Sequence, residues 1–411
     1  MVDLKDRLKK LGFTPAKEIT PPLKSSKVPL EGLVGGKKVS TNMGDVIVIE
    51  RNYPYDSPYG NIFLQKPENI QEILKFSGNN LNVIDIEKHA FIDTETTGLS
   101  GGTGTFPFLI GLGRFENNGF KTYQFLLDNP ISEPAQLNEF SKLLNEFQGT
   151  VTFNGKSFDL PLLRTRYLLN RMEYPLEPFG HIDLLHISRK LWKARLIDRS
   201  LKELESNILV YTRNSDEVPG WMIPQIYFDY LRTGDGNLLK NVAYHNEIDI
   251  VSMAALILII NDLLSEEHKS EKMDLLDYYS MAKMYAQIGE FQKALSLFET
   301  CLNSNDFPVY FACESHIKMA EIYKKSNKLE LAVDHWIAAS QTGNIDSCIE
   351  LSKCFEHKFS RPADALFWAN KAMESIRQSP LPKYRKKKLL LELDARINRI
   401  MRSKQYVQEK D

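Results

Sequence analysis

At 411 residues the chain is long enough for two or three domains with sizeable cores. Hydrophobic content of 43% and charged content of 26% are ordinary globular values. A formal net charge of −1 excludes an overall basic excess of the kind that coats nucleic acid, so any nucleic-acid footprint must be local. The four cysteines, Cys301, Cys313, Cys348 and Cys354, fall in the C-terminal third without CxxC pairing. They read as small thiols in a reducing compartment rather than zinc ligands. MVDLKDRLKKLGF is charged and amphipathic rather than a signal peptide. The apolar run MAALILII is far short of the ~20 residues of a membrane helix. A soluble cytoplasmic protein with no membrane partner is expected.

Residues 1–85 read as an N-terminal extension. A short helix with Leu4, Leu8 and Leu11 on one stripe precedes the Pro-containing linker ITPPLKSSKVP and a strand-like section that includes DVIVIE. In the turn-rich RNYPYDSPYG, Tyr53, Tyr55 and Tyr59 flank Pro54 and Pro58. Such aromatics can stack on bases, but the reading adopted is that they pack the extension onto its own domain.

Residues 86–265 read as strand, strand, strand, helix, strand, helix. HAFID is the first strand; FPFLIGLGRF and KTYQFLLD follow, with Asn118-Gly119 as a hairpin turn signal between them. Ser132-Glu133-Pro134 starts a helix whose inner face carries Leu137, Phe140, Leu144 and Phe147. TVTFN is a fourth strand, followed by the helix LPLLRTRYLL. HIDLLHISRKLW starts extended and turns helical at Asp183, which reads as a helix N-cap. Hairpins first and parallel strand–helix units afterwards make an α/β fold on a mixed sheet.

The chemistry gathers on this region. Asp93 and Glu95 stand at the end of the first strand, where positions i and i+2 share a face. Two like charges that close disfavour each other's ionised form, and a hard cation such as Mg²⁺ or Mn²⁺ removes the penalty. Asp159 follows a strand-turn in TFNGKSFDLPLL, and in YHNEIDI His245 and Asp249 are one helical turn apart on one face. Four carboxylates and an imidazole from a strand, a helix start and a late helix suit a site that holds two divalent cations.

Two more stretches bear on substrate. SGGTGT, after the first strand, lacks the Walker lysine; its amides could approach a substrate phosphate, or it could be simply a mobile loop. In SRKLWKARLIDRSLK, Arg189, Lys190, Lys193, Arg195, Arg199 and Lys202 surround Trp192. Such a stretch can track a phosphate backbone and stack a base; the alternative is a solvated face with Trp192 buried.

FIDTETTGL, FNGKSFDLPLL and HNEID resemble, in order, the three exonuclease motifs of the DEDD 3′–5′ exonucleases, a ribonuclease H-like family. The resemblance covers roughly the middle half of the chain. It implies Asp93, Glu95, Asp159 and Asp249 as metal ligands, and it places Thr96 and Asn154 near the 3′-terminal nucleotide. The third motif departs from the family's two versions, in which a His lies five residues before the Asp or a Tyr four before it. Here His245 is four before Asp249 and Tyr244 five, so both rings stay in play as assistants to the attacking water. The Gly-rich loop and the helical repeats that follow look like the bacterial YprB-like branch.

Residues 270–411 read as an all-α repeat domain. Ala282, Tyr285, Ala294 and Phe298 recur 38 residues later as Ala320, Tyr323, Ala332 and Trp336. A looser copy follows at Ser352, Phe355, Ala365 and Ala369, and YRKKKLLLELDARINRIMRSK would cap the stack. The order resembles tetratricopeptide repeats, whose unit is about 34 residues, and implies a protein partner. The expectation is a metal-dependent 3′–5′ exonuclease on single-stranded or frayed DNA or RNA ends. A catalytically silent scaffold and an endonuclease on the same fold are the alternatives.

Overall fold

A computed structural model describes residues 28–78, 82–98, 104–177, 179–215, 217–265 and 273–408. The helix expected at Leu4–Leu11 and most of SGGTGT lie outside these residues. The chain divides into two compact units, one of residues 1–186 with 200–265, the other of residues 187–199 with 266–411.

Apart from the two-residue strands β3 (Pro58–Tyr59) and β4 (Ile62–Phe63), which pair with each other, the first unit is built on a seven-stranded mixed sheet. Within it, flanked on both sides, lies β5 (His89–Thr96), whose opening residues HAFI are all buried. That continuous apolar run suits a strand covered on both faces. β6 (Pro107–Glu116) pairs antiparallel with β5, and β7 (Gly119–Leu126) pairs antiparallel with β6. On the other side β8 (Gly149–Thr152) runs parallel to β5, and β9 (Gly180–Asp183) parallel to β8. This is the ribonuclease H-like arrangement expected from the sequence. The turn between β6 and β7 is Asn117-Asn118, one position earlier than the Asn-Gly signal placed it. Gly119 serves another purpose: a Cβ there would fall 2.2 Å from the Tyr53 carbonyl oxygen of the neighbouring strand.

That neighbour corrects the expected boundary near residue 85. β1 (Lys37–Thr41) and β2 (Gly44–Pro54) extend the same sheet, with β2 in register on β7 from Ile47↔Leu126 to Pro54↔Gly119. The tyrosines pack as expected. Tyr59 stacks on Tyr211 at 4.1 Å and bonds Ser252 at 2.6 Å, Tyr53 donates to Glu247, and Tyr55 donates to the Glu116 carbonyl.

Helices cover both faces. The short α1 (Leu30–Val34) and α2 (Gln71–Leu74) precede the main ones. On one face α3 (Glu133–Leu144) and α4 (Asp159–Leu169) bury Leu137, Phe140, Leu163 and Tyr167 against Ala90, Ile92, Ile110 and Leu112. After β9, α5 (Leu184–Leu191) and α6 (Leu201–Leu204) lead to α7 (Ile223–Thr233) and the long α8 (Leu239–Leu264). α7 and α8 set Tyr227 and Val242 against Ile47, Phe108 and Leu126 on the opposite face. Gly111 lets α8 come close to β6, since a Cβ would sit 2.3 Å from both Asn246 and Ile250.

In the second unit seven described helices follow one another, each packed on the next: α9 (Leu275–Ile288), α10 (Phe291–Leu302), α11 (Val309–Lys325), α12 (Leu329–Ser340), α13 (Ile345–His357), α14 (Pro362–Gln378) and α15 (Lys383–Gln408). The recurring small and aromatic positions Ala282, Tyr285, Ala294, Phe298, Ala320, Ala332 and Trp336 are buried. So are Ser352, Phe355, Ala365 and Ala369, and Leu393 of α15 joins the same core. Trp192 is fully buried as well, and Arg195 pairs with Asp277 at 3.0 Å. The expected base-stacking role of Trp192 is therefore corrected: its ring is core. The four cysteines are free thiols. No helix among the described residues is long and apolar enough to cross a membrane.

Candidate active site

The C-terminal end of β5 carries Asp93 and Glu95, and a register shift against β6 between Glu95 and Thr96 ends the regular ladder there. Such irregularities re-aim side chains at strand ends. Asp159 opens α4, and its Oδ1 accepts hydrogen bonds from the Thr94 amide at 3.1 Å and the Thr94 hydroxyl at 2.5 Å. The second motif is thereby tied to the residue between the two acids of the first.

α8 supplies the third group. Asn246 Nδ2 donates to Asp93 Oδ2 at 2.7 Å, while its own Oδ1 accepts from Gln124 at 2.8 Å. His245 Nε2 lies 3.7 Å from Asp249 Oδ2 and 3.9 Å from Glu95 Oε1, and Nδ1 is 3.6 Å from Glu217. The Tyr244 hydroxyl instead accepts from the Asn214 amide at 3.3 Å. Asp249 Oδ1 accepts from Arg213 Nη2 at 2.5 Å.

Burial and the charges of Asp249 and Asp159 push the Asp93 carboxyl well above the usual range. Burial and the charge of Asp93 do the same for Glu95. Asp159 is pushed up to about 6 by burial, against the pull of its Thr94 hydrogen bonds. The cluster is short of positive charge even though Arg213 opposes the shift of both Asp93 and Glu95.

A cleft of about 600 Å³ opens onto the acids, lined by Asp93, Glu95, Thr96, Asn154, Phe158 and Asp159 among others. Asn154 sits in the left-handed region at φ 68°. Asp183 holds that turn, accepting from the amides of Asn154 at 2.9 Å and Lys156 at 3.2 Å. Asp183 also accepts from Leu185 at 3.1 Å, so the expected helix cap is present and does a second job. The cleft thus gathers Asp93, Glu95, Asp159, Thr96 and Asn154, with His245 and Asp249 beside them on α8. It does not gather Arg189, Lys190, Trp192 or Lys193, none of which lines it; the three basic residues are exposed.

Among the described residues no three His, Cys, Asp or Glu side chains already stand ready to hold an ion. The donor set nevertheless fits a hard divalent cation: all carboxylate oxygens, mutually repelling and short of countercharge. Several residues of this site escaped the sequence. Arg213 and Glu217 lie in an irregular segment with no periodic signal; Asn246 lay inside the third motif, where a polar side chain three residues before Asp249 in an apolar helix was the available clue.

The RNase_H superfamily model matches residues 90–261, from β5 to the late turns of α8. That stretch holds Asp93, Glu95, Asp159, His245 and Asp249. Over 341 residues the chain is 33% identical to the uncharacterized protein YprB of Bacillus subtilis (strain 168), covering 80% of each chain. The chain belongs to the family of YprB, and its residues 90–261 match the ribonuclease H superfamily.

Proposed function

We propose that the protein is a metal-dependent 3′–5′ exonuclease acting on single-stranded or frayed ends of DNA or RNA. The observation that carries this reading is the convergence of Asp93, Glu95, Asp159 and Asp249 at one end of the sheet, beside a cleft of about 600 Å³. These four would hold two divalent cations, Mg²⁺ or Mn²⁺, whose chemistry is to activate water and to offset charge on the leaving oxygen. His245, within 4 Å of Glu95 and Asp249, would orient the attacking water or hold its proton at Nε2. Thr96 and Asn154 would receive the 3′-terminal nucleotide, and Phe158, 55% exposed on the cleft wall, offers a face to a base. Exposed Arg189, Lys190 and Lys193 remain candidates for phosphate contact. The helical unit, by its resemblance to tetratricopeptide repeats, would serve a protein partner.

A 5′-labelled linear single strand and a circle of the same sequence, as RNA and as DNA, test the reading. With Mn²⁺ the linear strand should shorten stepwise while the circle survives. A cut circle would make the enzyme an endonuclease, and two intact substrates would leave a binding scaffold.

A further inference from the structure

Arg213 belongs to none of the motifs, yet its guanidinium is buried at the back of the acidic cluster, with the side chain only 6% exposed. The chain reaches this point through a π-helical turn, Glu205–Leu209, and a left-handed Val210 at φ 52°. The reversal brings Arg213 back over Glu205. Nε and Nη2 of Arg213 donate to the two oxygens of Glu205 at 2.7 and 2.6 Å. Glu205 is in turn held by the Ser252 hydroxyl of α8 at 2.5 Å. The fork is therefore fixed at its base. Its outer N–H groups reach Glu217 at 3.1 Å and Asp249 Oδ1 at 2.5 Å.

A cation beside metal-binding carboxylates can play either of two opposite parts. It can compete for the carboxylate and leave when an ion arrives, or it can hold the carboxylate in place for that ion. Two observations favour holding. A guanidinium held along its Nε–Nη2 edge by both oxygens of a buried, anchored glutamate cannot swing away cheaply. Moreover, Arg213 engages one oxygen of Asp249, while Oδ2 faces His245 at 3.7 Å. The other two aspartates follow the same pattern: Asp159 is held at Oδ1 by Thr94, and Asp93 at Oδ2 by Asn246. Fixing one oxygen by a protein donor leaves the other aimed, which is how residues around a metal site commonly set their ligands.

We propose that Glu205 and Arg213 form a positioning pair that aims Asp249, and with it the spacing of His245, at a divalent cation held by the cluster. This rests on the metal-dependent reading above. Calorimetric titration of Mn²⁺ into the full-length protein tests it, with Arg213→Lys as the main variant. Lysine keeps the charge and loses the planar fork, so a pure charge-balancing role predicts wild-type affinity. Positioning predicts weaker Mn²⁺ binding, by roughly 10–100-fold. It also predicts that Arg213→Lys adds little on top of Asp249→Asn, because both act through one carboxylate. Where Arg213→Lys fails to fold, the double variant Glu205→Gln with Arg213→Gln, which removes one charge of each sign and so keeps the net charge of the site, is read in the same way.

Tighter Mn²⁺ binding in the variant would make Arg213 a competitor and overturn the proposal, as would unchanged affinity. Wild type that binds Mn²⁺ beside an unaffected variant defeats this proposal alone. Wild type that takes up no Mn²⁺ defeats the metal-dependent reading with it.

Discussion

Arg166 and Arg213 each grip both oxygens of a buried glutamate with the Nε–Nη2 edge of the guanidinium. Arg166 meets Glu133 at 2.6 Å through Nε and 2.6 Å through Nη2, and Asn170 adds a bond to the same carboxylate at 2.9 Å. These contacts fasten α4 to α3. Arg213 meets Glu205 with nearly the same lengths but extends further N–H groups to Asp249 and Glu217. The chemistry of the two pairs is alike, so what separates a fastening from a site component is where the remaining donors point. One pair joins two helices; the other ends on a carboxylate of a cluster that lacks countercharge.

The largest effect should come from the cluster itself. Asp93→Asn keeps the volume and removes a charge that burial and two neighbouring aspartates already penalise. Hydrolysis should vanish while the melting temperature of the metal-free protein holds or rises. An assay of labelled oligonucleotide beside a thermal melt checks both, and retained activity would remove Asp93 from the site.

Next in size, His245→Ala should slow turnover by about 10²–10⁴-fold, whereas Tyr244→Phe should be mild. His245 stands among the carboxylates and the Tyr244 hydroxyl turns to the Asn214 amide. Single-turnover rates of the two variants decide it, and a larger loss in Tyr244→Phe would transfer the role to the tyrosine.

The two arginine pairs can then be set against each other directly. Removing one partner of a buried pair costs about 3–5 kcal/mol, so Glu133→Gln and Glu205→Gln should both lower stability in denaturant titrations. Only Glu205→Gln should also weaken Mn²⁺ binding. If Glu133→Gln weakens it equally, general loosening rather than aim explains the effect.

The smallest effect is a pH trend. Burial pushes the Asp159 carboxyl up from its ordinary value of 3.8 to about 6. Between those values the folded state holds a proton that the unfolded chain has lost. Stability of the metal-free protein from this group is therefore present at low pH and lost as pH rises to about 6. The rise in melting temperature on adding Mn²⁺ should grow over the same interval. A Mn²⁺ effect that shrinks with rising pH would contradict the electrostatic account.

How much of this could be read in the sequence depends on the distance over which each feature is encoded. The acids at 93, 95, 159 and 249 were legible because each is fixed by its own strand end, helix start or helix face. The repeat positions were legible because a 38-residue recurrence is visible in one chain. β2 was seen as a strand, but its place on β7 was not, since pairing across some 75 residues leaves no local mark. Trp192 amid basic residues looked the same whether buried or free, since a local run of charges around one aromatic does not say what packs over it. Glu205 and Arg213 were invisible because they meet only through a π turn and a left-handed valine.

The measurement that bears most directly on the central claim is hydrolysis of a 5′-labelled single strand followed across a Mn²⁺ titration, with the melting temperature recorded on the same samples. Saturation at ~100-fold the Kd contributes about 2.7 kcal/mol of stability. Activity and melting temperature should therefore rise together, with Asp93→Asn flat in activity. Undiminished hydrolysis in excess chelator, or a melting temperature indifferent to Mn²⁺, would contradict the claim that these carboxylates hold the catalytic cation.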